Sequence, residues 1–283
     1  MQYIFIKLAY ISVLISPGTD NVVKMCNNHY VCQEIFKNMS LYDLMLERQN
    51  QEQVAGLSRF FKCGPGQYGE GDIFLGIKVP VTREVVKSCW RETDFAELER
   101  CISSGYHEMR LAALLTLVEI FRHAGKDEKK KEACVEFYMA HTAYINNWDL
   151  VDLSCYPILG QWLMDKDRSL LYEMARHGTT IWERRIGIVS TMTFVRAGQL
   201  DDTYAIAQIF LEPSAKPLHD LLQKAVGWLL REAGKRDSAR LDAWLEPRAA
   251  SMPRTMLRYA IEKFPEHRRR ELLGLKLLPV VGR

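Results

Sequence analysis

The chain has 283 residues, of which 48% are hydrophobic, so it can bury a sizeable core in one or two domains. Its formal net charge is only +3, so the overall charge does not by itself indicate a nucleic-acid binder. The seven cysteines are scattered and none has C-x-x-C spacing, which argues against zinc sites, iron–sulfur clusters and a disulfide framework and favours a reducing compartment.

The histidines also lack the spacing of metal ligands. Each of six is expected at a helix end or on the surface: His107, His123, His141, His177, His219 and His267. The sequence therefore predicts no metal site and no cofactor.

The first residues of the chain form a separate segment. Residues 1–16 are apolar with a single lysine, and they are too short to span a bilayer comfortably. A signal-peptide core is an alternative, but the positive n-region is missing and residues 16–19 do not form a clear cleavage site. We expect residues 1–38 to be an N-terminal extension, either upstream of a natural start at Met39 or disordered, and residues 39–283 to form one helical domain.

From about Ser40 onward, apolar residues recur at helical spacing. The clearest case is residues 107–123, which place these apolar side chains on one face: Leu111, Leu114, Leu115, Val118 and Phe121. The same pattern predicts helices over 132–145, 181–196, 203–211, 218–232 and 255–264. No segment has a convincing alternating pattern of the kind that strands show.

The residues that end and begin these helices recur as well. Arg or His precedes Gly125, Gly178, Gly198 and Gly234, which predicts helix ends with a left-handed glycine and a cation near the negative helix terminus. Residues 180–183 fit a capping box, and Pro217 suits a first helical turn. Helix pairs of roughly 40 residues joined by short loops predict an α-solenoid with a concave face.

The glycine-rich run at residues 64–71 interrupts this pattern. It lacks the Lys-Ser/Thr of a P-loop and does not follow a strand, so it does not predict a phosphate cradle. We expect a flexible loop between helices.

Residues 144–152 carry the most specific chemistry. Asn147 is a good N-cap, so Trp148 begins a helix, and Asp152 follows four residues later on the same face. A carboxylate beside an indole can hold a cation, or a transition state that becomes cationic. The alternatives are a core role for Trp148 and, for Asp152, a helix-start carboxylate stabilised by the helix dipole.

Three further segments place polar or aromatic residues within apolar helices, at 182–185, 224–228 and 252–262. Together with residues 147–152, and in this order, they resemble the AlkD family of HEAT-like-repeat DNA glycosylases, which excise alkylated purines. The resemblance runs from about Met39 to about Leu273. It implies an all-α fold, an α-solenoid of HEAT-like helical repeats whose concave surface binds DNA.

The resemblance also implies roles for single residues. Asp152 matches the catalytic aspartate, and Trp148 and Trp228 match the two tryptophans that flank the deoxyribose of the lesion. Packing in the core is the alternative for Trp228, because apolar residues surround it in the sequence. Four other tryptophans are expected to serve packing: Trp90, Trp162, Trp182 and Trp244.

Arginines supply the implied DNA contacts. Arg185 matches the residue that holds the backbone near the lesion, and its neighbour Arg184 is less suited to that role. Arg254 and Arg258, in the last motif, are the other arginines expected to bind DNA. The alternative for Arg185 is an ion pair with Asp149 or near Glu183. Residues 268–270, all arginine, are either a solvated helix end or a further phosphate contact.

The resemblance implies a monofunctional glycosylase, which removes cationic N3- or N7-alkylated purines from duplex DNA without flipping the base. It implies that this enzyme acts as a monomer in the bacterial cytoplasm near the nucleoid, with no membrane contact. Two alternatives are a non-catalytic protein that binds damaged or branched DNA, and a protein-binding scaffold of helical repeats.

Overall fold

The structure, a computed structural model, describes residues 39–212 and 218–275. Over these residues the regular secondary structure is helical, apart from one isolated bridge between Ile73 and Tyr106. The α-helices are α1 (Leu41–Glu47), α2 (Gln51–Phe60), α3 (Val79–Cys89), α4 (Phe95–Ile102), α5 (His107–His123), α6 (Glu128–Ala140), α7 (Trp148–Cys155), α8 (Ser169–His177), α9 (Ile181–Val189), α10 (Met192–Arg196), α11 (Asp201–Ile209), α12 (Asp220–Arg236), α13 (Ser238–Leu245), α14 (Arg254–Ala260) and α15 (Glu266–Gly274).

The helices pack in two rows. In the first row, α3, α5, α7, α9, α12 and α14 each contact the next helix of the series. Helices of the second row flank it: α4 and α6 pack on α5, α8 packs on α9, and α11 and α13 pack on α12. The buried apolar side chains form one continuous core. Each helix thus packs on near neighbours in chain order, and the predicted all-α solenoid is confirmed.

Several helix boundaries follow the predicted signals. Helix α5 covers the predicted 107–123, and Thr180 and Glu183 form both halves of the predicted capping box. Gly125 and Gly198 have the expected positive φ, at 58° and 80°. These signals are local, so the sequence alone specifies them.

The predicted helix end at Gly234 is wrong, and the prediction for Gly178 is wrong only in its backbone conformation. Helix α12 continues through Gly234 to Arg236, and a Cβ at Gly234 would lie 2.3 Å from the Leu241 side chain, so this glycine allows α12 and α13 to pack closely. Gly178 does follow α8, but its φ is −49°, so it is not left-handed.

The helix predicted over 181–196 is interrupted. Helix α9 ends at Val189 and α10 begins at Met192. Between them, the buried Thr191 hydroxyl donates to the Ile188 carbonyl (2.7 Å) and accepts from the Thr203 hydroxyl (2.9 Å). Hydroxyl side chains that bond locally compete with the helical ladder, which accounts for the break.

The helix predicted over 132–145 has different bounds in the structure. It begins earlier, at Glu128, because Asp127 caps it by accepting from the Lys130 N–H (3.0 Å). It ends at Ala140, and a short 3₁₀ turn follows at Thr142–Tyr144.

Pro217 and the N-terminal extension at 1–38 lie outside the described residues. In the part that is described, no helix is both long and apolar enough to cross a membrane.

Gly76 fixes the path of the segment that leads into α3. Its φ is +83°, and a Cβ there would lie 1.8 Å from the backbone oxygen of Asn50. We therefore expect Gly76→Ala to lower the free energy of unfolding by roughly 3 kcal/mol or more, because the added carbon meets backbone and the φ is strained.

Urea unfolding of Gly76→Ala beside Gly56→Ala checks this expectation. Gly56 is exposed in the middle of α2, and a Cβ there meets nothing within 4 Å. The control should be neutral, or stabilising by up to about 1 kcal/mol. Equal stability of the two variants would show that Gly76 does not constrain this segment.

Candidate functional site

The start of α7 places Trp148 and Asp152 on the same side of one helix. Asn147 is fully buried, has an extended backbone, and its side-chain oxygen accepts from the Trp148 N–H (2.8 Å). Helix α7 therefore begins at Trp148, as predicted, and Asp152 lies about one turn further on. Both side chains are partly exposed.

Asp152 pairs with Arg185, which α9 supplies. Arg185 Nε donates to Asp152 Oδ1 at 2.8 Å, and one terminal nitrogen donates to Oδ2 at 2.7 Å, a two-point contact. The other terminal nitrogen donates to the carbonyl of Leu221, in the first turn of α12. The Arg185 side chain is 6% exposed and that of Asp152 is 16% exposed. One guanidinium thus connects three successive helices of the first row.

The surroundings of Asp152 determine the pKa of its carboxyl group. Burial raises the pKa of this carboxyl above its usual value, the Arg185 guanidinium opposes that rise, and the nearby Asp149 charge adds to it. A carboxylate with so little solvation interacts more strongly with a second cation than an exposed carboxylate does. The group is therefore suited to stabilising positive charge that develops on a bound substrate.

An aromatic stack holds Trp148. The Phe61 ring lies 5.6 Å from the indole at an interplanar angle of 26°, and Phe60 contacts it edge-on at 5.9 Å. Phe61 continues the stack onto Phe74 (5.4 Å) and His107 (4.5 Å). Because Phe60 is 60% exposed, aromatic surface extends from the buried stack to the solvent beside Trp148.

A buried charge network lies beneath this stack. His107 contacts Asp72 through Nδ1 (3.2 Å) and Asp149 through Nε2 (2.9 Å), and Arg110 donates to the other Asp72 oxygen (2.6 Å). Burial disfavours protonation of His107, but the hydrogen bonds with Asp149 and Asp72 outweigh it and raise its pKa to about 9. The imidazolium therefore anchors the first turn of α7, which carries Trp148.

The sequence did not reveal this network. His107 does begin α5, as a helix-end histidine, but it is only 1% exposed and has two carboxylate partners. Asp72 precedes it by 35 residues and Asp149 follows it by 42, so no local spacing joins them. The available signals were the position of Asp149 beside Trp148 and that of Asp72 just after the glycine-rich run.

Trp228 lies on α12, about two turns after Leu221. It is partly exposed and lines a cavity of about 390 Å³. The other lining residues are Met192, Val195, Arg196, Glu232, Lys235 and Arg236. The structure thus joins Asp152 and Arg185 directly, with Trp148 on the helix of Asp152 and Trp228 on the next helix of the row after α9.

The remaining arginines differ in their surroundings. Arg184 Nε donates to the Ala175 carbonyl (3.0 Å), and its guanidinium lies over the Phe210 ring, contacts that favour a packing role. Arg254 and Arg258 are exposed on α14, and Arg254 donates to the carbonyl of Leu273 near the end of α15.

The arginine cluster at 268–270 is paired with acids. Arg268 contacts Asp242 (2.8 Å), and Arg269 and Arg270 contact Glu266 (3.2 and 2.9 Å). These pairs favour the solvated helix end over a phosphate contact. Within 39–212 and 218–275, no group of three or more His, Cys, Asp or Glu side chains could hold a metal ion.

Comparison with known proteins shows the family of the chain. The pattern of the family described as DNA alkylation repair enzyme matches residues 43–264. A solved structure, the predicted DNA alkylation repair enzyme from Enterococcus faecalis, superposes with a TM-score of 0.59 over 77% of this chain and 98% of that chain. Its sequence is 16% identical, so this likeness supports the fold alone. No curated protein matches. Because the family pattern covers most of the sequence, the chain belongs to the DNA alkylation repair enzyme family.

Proposed function

We propose that the chain is a monofunctional DNA glycosylase that hydrolyses the N-glycosidic bond of N3- or N7-alkylated purines, such as 3-methyladenine and 7-methylguanine, in duplex DNA. The observation that carries this proposal is the weakly solvated Asp152 carboxylate, oriented by Arg185 and one turn from the partly exposed Trp148. The base stays in the duplex in this proposal, because the partly exposed site residues act at the sugar.

The chemistry needs few groups. Alkylation at N3 or N7 leaves the purine cationic, so the base departs neutral when the C1′–N bond breaks and keeps the electron pair of that bond. Positive charge moves to the sugar as an oxocarbenium ion, which the Asp152 carboxylate stabilises. Water adds to C1′ and loses its proton to Asp152 or to solvent, giving an abasic sugar. A cationic leaving group needs no general acid.

The other residues bind and orient the DNA. The faces of Trp148 and Trp228 attract the cationic sugar through their π-electrons. Arg185 orients the Asp152 carboxylate. It is less suited to holding the DNA backbone itself, because Asp152 and the Leu221 carbonyl already occupy its buried guanidinium. The exposed Arg254 and Arg258 bind phosphates further along the first row. Arg184 is less suited to DNA binding, because the Ala175 carbonyl and the Phe210 ring already occupy its guanidinium.

The order of the helices supports a continuous DNA-binding face. The proposed site residues lie on α7, α9, α12 and α14, which are successive members of the first row. We propose that this row forms the concave face and that one chain binds the duplex without a partner subunit. Contacts to sugar and phosphate position the protein but do not specify sequence, so we expect weak sequence preference.

A labelled duplex with a single 7-methylguanine tests the proposal. The protein should produce a site that breaks only after alkali treatment, because a monofunctional glycosylase leaves the abasic strand intact. A strand break without alkali would exclude the monofunctional reaction. The absence of alkali-labile sites would exclude the glycosylase.

A non-catalytic DNA-binding function is the second candidate, because a purely structural ion pair would also show the two-point contact between Asp152 and Arg185. Binding to the same duplex at increasing salt separates the possibilities. Binding that weakens with salt but gives no alkali-labile site supports the second candidate, because phosphate contacts release counterions. A protein-binding scaffold should show no salt-sensitive DNA binding.

The two partly exposed tryptophans of α12 and α13 offer a matched comparison. We expect Trp228→Ala to lower the single-turnover excision rate about tenfold or more, because it removes an aromatic face that attracts the cationic sugar. Trp244→Ala should leave the rate unchanged, since Trp244 packs on Tyr204 and Arg248 in the second row.

Thermal melts must accompany both tryptophan variants, because removing a large aromatic side chain costs about 3 kcal/mol or more when it is well packed. Equal rate losses in the two variants, matched by equal losses of stability, would remove Trp228 from the site.

A further inference from the structure

The cavity beside Trp228 lies between α10 and α12. Its volume is about 390 Å³, and Met192 and Val195 of α10 line it together with the indole. Charged side chains line the rest: Arg196, Glu232, Lys235 and Arg236. Apolar side chains next to cationic ones suit the two parts of a DNA backbone, the deoxyribose and the phosphate.

The charged side chains leave the cavity positive. Lys235 contacts both oxygens of the Glu232 carboxylate (2.7 and 2.8 Å), so this pair is neutral as a whole. Over residues 39–212 and 218–275, neither Arg196 nor Arg236 forms an ion pair with a carboxylate, and both side chains are exposed. Two charges of the same sign therefore line one cavity, and an anion between them would relieve their repulsion.

A structural role for these arginines is the alternative. Arg196 ends α10 and Arg236 ends α12, and a cation stabilises the negative end of a helix. Their contacts are few, however: Arg236 donates to the Arg196 carbonyl (3.2 Å), and the Arg196 guanidinium lies over the Tyr156 ring, 4.6 Å from its centre. A guanidinium has five N–H donors, so these contacts leave donors on both side chains for phosphate oxygens.

Helix α12 runs in the same direction as α9 and α10. Near the N-terminal ends, Arg185 of α9 donates to the carbonyl of Leu221 in the first turn of α12. At the other ends, Arg236 of α12 donates to the carbonyl of Arg196, the last residue of α10. The cavity is therefore at the C-terminal ends of these helices, whereas Arg185 and its partner Asp152 lie toward the N-terminal ends.

The distance along α12 suits the separation of two DNA strands. Eight residues separate Trp228 from Arg236, which is about 12 Å of helix. The grooves of B-form DNA, across which the two backbones face each other, are about 6 and 12 Å wide. A duplex whose damaged sugar contacts Trp228 can therefore place a phosphate of the other strand in the cavity.

We propose, resting on the proposed function, that Arg196 and Arg236 bind a backbone phosphate of the complementary strand, the strand opposite the lesion. The phosphate neutralises the two converging charges, and the cavity beside Trp228 receives it. This contact exists only when both strands are present, so it favours duplex over single-stranded DNA. It reads no base, because phosphate contacts position a protein without specifying sequence.

Arg196→Gln and Arg236→Gln each remove one charge and keep a polar side chain. We expect either change to raise the dissociation constant for a duplex about threefold to tenfold, and to lower the slope of log affinity against log salt concentration by about one. Arg240→Gln is the matched control, because it makes the same change in net charge on α13 of the second row, where Arg240 pairs with Asp201. Its slope should equal that of the wild type.

The damaged strand alone supplies the second comparison. Its dissociation constant should change by less than about twofold in Arg196→Gln and Arg236→Gln, because the contact that they lose is to the other strand. Thermal melts of each variant confirm that the protein is folded. Duplex binding and a salt slope equal to those of the wild type would overturn the proposal. An equal loss of affinity for single-stranded and duplex DNA would overturn it as well.

Neutral methylphosphonate linkages, placed one at a time in a duplex with a single 7-methylguanine, locate the phosphate. A linkage in the complementary strand should weaken wild-type binding, and it should have no further effect in the variant that combines Arg196→Gln and Arg236→Gln. Loss of the effect only for linkages in the damaged strand would contradict the proposal. If the wild type releases no alkylpurine, the proposed function fails, and the salt slopes on unmodified duplex still decide whether the two arginines bind phosphate.

Discussion

Asp152→Asn should lower the single-turnover rate of alkylpurine excision at least about 100-fold, while the dissociation constant for the duplex changes by less than about twofold. The substitution keeps the shape of the side chain but removes the charge that stabilises the oxocarbenium ion, and such preorganised electrostatic contacts typically contribute this much. Because the interaction is made mainly in the transition state, its loss appears in the rate and not in binding. Rapid-quench excision and a binding titration on one duplex measure the two quantities.

Stability must be measured beside activity for this variant. Removing the carboxylate charge leaves Arg185 buried, with the Leu221 carbonyl still accepting from it, and losing one partner of a buried pair costs about 3 kcal/mol. Asp202→Asn is the matched control, because Asp202 pairs with Arg168 at 2.6 Å and its side chain is 15% exposed, against 16% for Asp152. Both variants should lose comparable stability, and only Asp152→Asn should lose activity. Equal losses of binding and turnover in Asp152→Asn would exclude Asp152 as the catalytic group.

The charge network under Trp148 should make stability depend on pH. The pKa of His107 is raised from 6.5 to about 9 in the folded protein. Its stabilising contribution is therefore fully present below pH 6.5 and is lost as pH rises through about 9. A shift of this size corresponds to roughly 3 kcal/mol. We expect urea unfolding to show this decline in the wild type between pH 6.5 and 9.

His107→Gln isolates that contribution. The amide cannot take up the proton, so the decline between pH 6.5 and 9 should be much shallower, and the variant should be clearly less stable than the wild type at pH 6. His177→Gln is the control, because His177 is exposed at the end of α8. It should follow the wild-type curve. If His107→Gln also follows that curve, the network does not hold a charged imidazole.

Local signals predicted the parts of the molecule that depend on few neighbours. Asn147 as N-cap, the capping box at Thr180 and the length of α5 each follow from residues within one or two turns. The placement of Trp148 and Asp152 on one side of a helix follows from their spacing of four. These predictions needed no knowledge of the tertiary fold.

The rest depends on packing that the sequence does not display. Arg184 and Arg185 are adjacent, so their side chains point about 100° apart, and only the rotation of α9 against α7 decides that Arg185 meets Asp152. His107 joins Asp72 and Asp149 across distant parts of the chain. Gly234 ends no helix, because its role is the close contact with Leu241 on α13.

Release of free 7-methylguanine from a methylated duplex, followed by chromatography for the wild type and Asp152→Asn side by side, shows directly whether the Asp152 carboxylate drives excision. The wild type should release the base in proportion to the abasic sites formed, and Asp152→Asn, although still bound to the duplex, should release it at least about 100-fold more slowly. Absence of release by a folded, DNA-bound wild type would exclude the glycosylase, and equal release by the two proteins would exclude Asp152 as the catalytic group.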